Sequence, residues 1–258
     1  MPRGALIRIR ETDLGPHPEA FALNAAFRKD LPILKVRVEV DWEPRAPAAA
    51  VASVEAGLFE VCPGLRDHQC RGDEAYHVLR STDGEHGRRA EAAEAIEAPL
   101  ALAHLFEHVV IDAISFITGE PVISGATAAL AGSLHEFDVF VESPDADVAG
   151  LTVGLARSWL VTLSRGRGRD GERRTTLELC RQLYRAHPEP VDLDAAAREL
   201  GRGADEVRSG LEWLVRHDLA RPVRFTINFS GVSYYGLARD RSPQLPSTSS
   251  RPATSSGR

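Results

Sequence analysis

The 258-residue sequence has little cysteine and begins without a hydrophobic leader. Its three cysteines, Cys62, Cys70 and Cys180, are an odd number, so they cannot all pair in a disulfide framework. The N-terminus lacks the apolar stretch, about 7–15 residues long, of a secretion signal. Because disulfides persist mainly in oxidising compartments, these two absences predict a reduced, cytoplasmic protein.

The sequence also lacks an excess of positive charge and a long hydrophobic run. Thirty-seven acidic residues against 31 Lys and Arg give a formal net charge of −6, so no global field attracts nucleic acid or an anionic membrane. No segment reaches the roughly 18 uninterrupted apolar residues of a transmembrane helix. The nearest run, 100–117, is interrupted by His104, Glu107, His108 and Asp112. We therefore expect no membrane association.

What remains is an ordinary globular composition, with 43% hydrophobic and 26% charged residues. Residues 1–164 predict an α+β domain in which a mixed or antiparallel sheet packs on helices. Apolar residues alternate with polar ones from Ile33 to Trp42 and again over 137–142, which is typical of half-buried strands. Helices are expected over 48–59, 100–118 and 148–164. We expect an irregular lead-in over the first thirty residues, and a loop or frayed helix over 78–92.

The second part of the sequence predicts a smaller unit. The glycine- and arginine-rich segment 165–174 is a candidate linker. Three helical patterns and two strand-like segments follow in 175–238, which is the order of a winged helix-turn-helix. The Ser-, Pro- and Thr-rich tail 239–258 is too polar to form a packed core, and we expect it to be disordered.

The predicted helix 100–118 carries the most informative residues. His104, Glu107 and His108 form an H-x-x-E-H pattern on an otherwise apolar helix. Histidines one turn apart lie about 5–6 Å from each other and can bind one zinc ion, while the adjacent glutamate acts as a general base. Asp112 lies about 12 Å from His104 along the helix axis. Its expected role is to accept the remaining N–H of His108 and fix its tautomer.

A third zinc ligand has to come from another part of the chain. The segment 62–70 supplies three candidates: Cys62, His68 and Cys70. The alternative interpretation is a buried polar network without a metal ion, in which His–Glu and His–Asp pairs join the helix to the sheet. The cysteines likewise have a simpler interpretation, since a buried free cysteine behaves as a small apolar residue.

The order of these motifs resembles the N-terminal domain of cyanophycin synthetases. The resemblance covers roughly residues 31–164, and its motifs are C-P-G-L-R-D-H-Q-C (62–70), H-L-F-E-H-V-V-I-D (104–112), G-E-P-V (119–122) and F-D-V-F-V-E (137–142). By position, His68 and Cys70 match the family's H-x-C, and His104, Glu107 and His108 match its H-x-x-E-H. Asp112 stands where the family has Glu.

The resemblance implies an α+β domain that binds an Asp/Arg polymer and, in some members, a slow metallopeptidase-like activity. The ATP-grasp and Mur-ligase-like domains of the family are absent from this sequence, so we do not expect ligation. The leading hypothesis is a zinc-dependent hydrolase of a peptide or isopeptide bond. The alternatives are an inactive module that binds a peptide, polymer or protein, and a winged-helix transcription regulator.

DNA binding is the weaker expectation for the second part of the chain. Its predicted recognition helix begins with Asp205 and Glu206, where contacts to the DNA groove would be made. These acids suit the positive end of the helix dipole better than they suit phosphate. Arg202 and Arg208 flank them, and Arg221 and Arg224 follow in the predicted wing.

Overall fold

The computed structural model describes residues 5–44, 46–62, 64–65, 87–120, 123–166, 170–223 and 234–238, with 87–97 and 170–172 described by their backbone. The helices are α1 (Pro18–Leu23), α2 (Pro47–Val61), α3 (Gly87–Thr118), α4 (Ala146–Ser164), α5 (Asp170–Ala186), α6 (Leu193–Leu200) and α7 (Ala204–Arg216). The strands are β1 (Leu6–Gly15), β2 (Ile33–Asp41), β3 (Gly125–Ala129), β4 (Glu136–Glu142), β5 (Val191–Asp192), β6 (Ala220–Val223) and β7 (Tyr234–Leu237). The predicted α+β fold class is confirmed.

The larger sheet is antiparallel throughout and has the order β1-β2-β4-β3. The alternation in β2 buries Leu34, Val36 and Val38 completely on one face. Val36 pairs with Val139 of β4, so the apolar positions of the two central strands are in register. This agreement of period and register explains why both central strands were predictable from the sequence.

Helix α3 is the centre of the core and contacts α2, α4 and the strands β2, β3 and β4. Leu102, Phe106, Val110 and Ile114 have no exposed surface. Each large apolar side chain buried in this way contributes about 2 kcal/mol. The burial that the sequence predicts for this helix is therefore confirmed.

The predicted start of this helix is wrong. Helix α3 begins at Gly87, thirteen residues before the expected start at Leu100, and it includes Pro99. A proline inside a helix costs about 3 kcal/mol because it removes a hydrogen bond and crowds the preceding turn. The Ala- and Glu-rich sequence before Pro99 consists of strong helix formers, and this preference accounts for helix on both sides of the proline.

The expectation of an irregular N-terminal lead-in is also wrong for most of its length. Strand β1 pairs with β2 along its whole length, with a register shift between Ile9 and Glu11. That irregularity interrupts the period-2 pattern on which strand prediction depends. Strand β3 consists of small residues and likewise forms because it pairs with β4.

The second part of the chain runs α5-β5-α6-α7-β6-β7, and its small sheet has the order β5-β7-β6. Asp192 caps α6 by accepting from the Ala195 N–H at 2.8 Å, and Gly201 ends the helix with a φ of 62°. The three helices and the two final strands follow in the predicted order, the short strand β5 was not predicted, and the winged-helix assignment stays a prediction. The middle of the predicted ribbon, 224–233, and the tail 239–258 lie outside the described residues.

The two parts of the chain share one hydrophobic core. Helix α5, whose first residues lie within the predicted linker, packs against α2, α3 and α4. Across this junction the Tyr184 hydroxyl donates to Asp145 Oδ2 at 2.5 Å, and the Ser158 hydroxyl lies 3.1 Å from His217 Nδ1. These bonds fix the second unit against α4.

One helical segment among the described residues, Ala98–Thr118 of α3, is long and apolar enough to span a membrane by composition. Two thirds of its apolar window is buried inside the protein. A core helix passes the same test, so this segment is weak evidence for a membrane span.

Candidate metal centre

Three potential ligands lie together on one face of α3. His104, Glu107 and His108 are spaced i, i+3 and i+4, which places them on adjacent turns of the same helix face. One ligand atom from each residue lies within 4.8 Å of the others. We refer to these three residues as the His-Glu-His site. It can hold a metal ion, as the sequence predicts.

The two imidazole rings of the site are in close contact, in an edge-to-face arrangement. Their ring centroids are 4.3 Å apart, with an angle of 64° between the ring planes. Glu107 Oε2 lies 3.4 Å from Nδ1 of His104. Ligand atoms that share a tetrahedral zinc ion at about 2.0–2.1 Å lie roughly 3.4 Å apart. A small rotation of the side chains would therefore bring the three groups to coordination distance.

Residues of strand β3 contact the carboxylate of Glu107 and hold it in place. The Thr127 hydroxyl donates to Glu107 Oε2 at 2.5 Å. Gly125, two residues earlier, leaves room for the other carboxylate oxygen, because a Cβ at this position would lie 2.6 Å from Oε1. Asn24 in turn donates from Nδ2 to the Gly125 carbonyl at 2.9 Å, which ties β3 to the end of α1.

Sequence reasoning missed both β3 residues. The segment that contains Gly125 and Thr127 is rich in small residues, and it has no alternation that would reveal a strand. Its proximity to Glu107 depends on the pairing of β3 with β4 across the sheet. The only available signal was that small residues permit a close approach between a strand and a helix.

The His-Glu-His site is mostly shielded from solvent. Glu107 is 4% exposed and His108 is 8% exposed, while the side chain of His104 reaches 14%. Burying a charged group without compensation is strongly unfavourable. The site therefore favours a bound cation or an internal proton between its histidines and its carboxylate.

Asp112 lies further along α3 and contacts the end of α2. It accepts a hydrogen bond from the Cys62 thiol, and a Cβ at Gly64 would lie 2.3 Å from its Oδ1. Burial raises the pKa of Asp112, and the Cys62 thiol partly opposes this effect. The predicted hydrogen bond from His108 to Asp112 stays a prediction.

Cys62 is not part of the His-Glu-His site. Burial raises the pKa of its thiol well above the usual value, and the neighbouring Asp112 adds to this effect. Metal binding requires the thiolate, so this environment disfavours Cys62 as a ligand. The two other candidates, His68 and Cys70, lie outside the described residues.

The two arginines that flank the acidic start of α7 already form ion pairs. Arg202 pairs with Glu178 at 3.1 Å and with Glu206 at 3.0 Å, and Arg208 pairs with Asp205 at 2.9 Å. Arg221 lies in β6, and Arg224 lies outside the described residues. Arginines in ion pairs of this kind offer little free charge for phosphate.

Comparisons with protein-family models, with curated proteins and with solved structures found no match to this chain.

Proposed function

We propose that this chain is a zinc-dependent hydrolase of a peptide or isopeptide bond. The observation that carries the proposal is the convergence of His104, Glu107 and His108 within 4.8 Å on a buried helix face. Imidazole nitrogen and carboxylate oxygen are ligand types that zinc prefers. Imidazole and carboxylate ligands would also suit other divalent transition metals.

His104 and His108 are the proposed zinc ligands. His68 or Cys70 is the proposed third ligand, on the basis of the H-x-C motif in the resemblance. A bound zinc ion would acidify water and polarise a substrate carbonyl. Three protein ligands would leave one coordination position open, as catalytic zinc sites require.

Glu107 is the proposed general base. Its Oε2 is held by the Thr127 hydroxyl, which fixes the orientation of the carboxylate. Its Oε1 packs closely against Gly125, so both carboxylate oxygens are held in place. As general base, Glu107 would accept a proton from water on Oε2, the oxygen that lies 3.4 Å from His104, and return it to the leaving amine.

The proposed substrate class is a peptide or a polymer of Asp and Arg, and it derives from the cyanophycin synthetase resemblance. A cytoplasmic location belongs to the same proposal. It is supported by the free, buried state of Cys62 and Cys180.

The second candidate is a peptide-, polymer- or protein-binding module whose site is catalytically inactive. The observation that favours it is the burial of Glu107 and His108, at 4% and 8% exposure. A closed site suits a structural metal ion or a polar network better than it suits attack on a large substrate. The third candidate, a transcription regulator, is supported only by the element order of the second unit.

Substitution at Glu107 separates hydrolysis from metal binding. The zinc-loaded full chain is incubated with an Asp/Arg polymer and with a mixed peptide library, and bond cleavage is followed by mass spectrometry. Glu107→Gln is expected to keep the metal and lose turnover, whereas His108→Ala loses both. Glu189→Gln changes an exposed glutamate whose side chain has no partner among the residues that the structure describes, and it serves as the matched control. Absence of cleavage by the zinc-loaded wild type, or full activity of Glu107→Gln, would contradict the hydrolase proposal and favour the binding module.

A further inference from the structure

A groove of about 670 Å³ lies between the C-terminal end of α3 and the second unit. Phe116 of α3 forms one wall, and α5, β5 and α6 form the others. We call it the α3–α5–α6 groove. Phe116 lies about 12 Å beyond His108 along the axis of α3, so the groove is separate from the His-Glu-His site. Its volume is within the usual range for small-molecule sites, roughly 300–1,000 Å³.

Two residues of α5 that line this groove carry buried polar atoms without a hydrogen-bond partner. Both polar atoms of the Gln182 amide, Nε2 and Oε1, are buried without a hydrogen-bond partner among the described residues. The same holds for Nε of Arg181. Buried polar groups are nearly always hydrogen-bonded in folded proteins. The Gln182 amide has a donor, Nε2, and an acceptor, Oε1. Together they are complementary to another amide or to a carboxyl group.

The charges that line the groove are unequally compensated. Glu178 is neutralised by Arg202 at 3.1 Å, whereas Asp192 accepts only the Ala195 N–H as the cap of α6 and keeps its negative charge. Arg181, Arg185 and Glu199 have no ion-pair partner within the described part of the chain. The groove therefore presents two positive charges, on Arg181 and Arg185, and two negative charges, on Asp192 and Glu199, that no ion pair compensates.

The ring of Phe116 restricts the position of the Arg181 guanidinium. The Arg181 guanidinium carbon lies 5.2 Å from the centroid of the Phe116 ring, within the range of a cation–π contact. A guanidinium held in this way loses less freedom when it binds a carboxylate with two parallel hydrogen bonds. Arg185, one turn later on α5, lies on the same wall of the groove.

We propose that the α3–α5–α6 groove binds a small zwitterion that carries a carboxylate, namely a free amino acid or a short peptide. The carboxylate binds Arg181 and Arg185, and the ammonium group binds Glu199. The Gln182 amide is covered in the structure, and rotation of its side chain into the groove lets it bind the carboxylate or a peptide unit of the ligand. Val191, Ala196 and Leu200 supply an apolar surface for the carbon skeleton.

This proposal is independent of the zinc chemistry. The ligand contacts α3 on one side and the second unit on the other, so its binding stabilises their junction. We therefore expect ligand binding to raise the thermal midpoint of the full chain, in the absence or presence of zinc.

Calorimetric titration of the full chain tests the proposal. The probes are the twenty L-amino acids and the dipeptides Ala-Asp and Ala-Arg, each at up to about 10 mM. The chemical controls are the forms that are both N-acetylated and C-amidated, which lack the α-ammonium and α-carboxylate charges, and they are compared for probes whose side chains carry no charge. At least one free probe is expected to bind and its blocked form is not. If no free probe binds, or if blocked forms bind equally well, the proposal is overturned.

Variants then locate the binding site. Arg185→Gln and Glu199→Gln change exposed residues at the rim of the groove, so they are expected to fold, which circular dichroism checks. Each should weaken binding about tenfold or more, because each removes one partner of a charge pair. Arg198→Gln changes an exposed arginine of α6 outside the groove and serves as the control. Binding that is unaffected by Arg185→Gln and Glu199→Gln would overturn the proposal.

Discussion

Gly125 on β3 lies so close to Glu107 on α3 that a Cβ at Gly125 would stand 2.6 Å from the carboxylate oxygen Oε1. The same Cβ would lie 2.7 Å from the Ile111 side chain. Glu107 cannot simply turn away, because its other oxygen is held by Thr127. The conformation of the proposed catalytic residue therefore depends on the absence of a side chain at Gly125.

Gly125→Ala is expected to displace Glu107 and slow hydrolysis, because Glu107 is the proposed general base and not a zinc ligand. General acid–base catalysis typically contributes about 10²- to 10⁴-fold, and we expect turnover to fall by about 100-fold, the lower end of this range, with zinc still bound. Cleavage assays on the zinc-loaded full chain give the turnover. Gly15→Ala is the matched control, because a Cβ at Gly15 meets nothing within 4 Å. Equal turnover in the two variants would show that the contact at Gly125 does not position Glu107.

The hydrogen bond between Tyr184 and Asp145 is expected to stabilise the junction of α5 and α4. Asp145 also caps α4 by accepting from the Val148 N–H at 2.9 Å, so its own substitution has two effects. A double-mutant cycle with Tyr184→Phe and Asp145→Ala separates them. We expect a coupling energy of about 1 kcal/mol in the free energy of urea unfolding. Strictly additive single effects would mean that the bond contributes nothing to stability.

The stability of the protein should depend on the titration of His217. Burial lowers the pKa of His217 in the folded protein, and the charges of Arg216 and Arg157 add to the effect. Between the lowered folded pKa and the unfolded value near 6.5, the unfolded chain binds more protons. The contribution of neutral His217 is therefore complete above about pH 6.5 and is lost as the pH falls through the folded pKa.

Urea unfolding of wild type and His217→Gln at a series of pH values measures this contribution. The stability advantage of the wild type is expected to shrink from pH 7.5 towards pH 5, because Gln does not titrate. Arg198→Gln, which changes a group that stays charged over this range, is the control. A difference between wild type and His217→Gln that stays constant with pH would refute the prediction.

The sequence predicted the parts of the fold that have a strong local pattern. The alternation of β2 lies within one strand, and the apolar face around Phe106 lies within one helix. Each is a local pattern that matches the burial of its element. Strand β1 was missed because a register shift breaks its pattern, and β3 was missed because its small residues form a strand only through pairing with β4. The start of α3 was missed because Pro99 is a strong local signal for a helix end or start.

The candidate site, like the fold, was predictable only where its residues belong to one element. His104, Glu107 and His108 lie on one element, so helix geometry alone brings them together. Thr127 and Gly125 reach Glu107 only through the packing of a strand on a helix. Asp112 has a partner, Cys62, that is 50 residues away in the chain. Contacts of this kind depend on tertiary packing, and no spacing in the sequence encodes them.

Metal content tests the central claim most directly. Elemental analysis of protein purified without added metal is expected to show about one zinc ion per chain, because the proposed three-ligand site occurs once per chain. His104→Ala and His108→Ala should abolish this stoichiometry, whereas Glu107→Gln and the control His187→Ala retain it. A wild-type protein without metal that also fails to bind added zinc, or variants with unchanged metal content, would contradict the account.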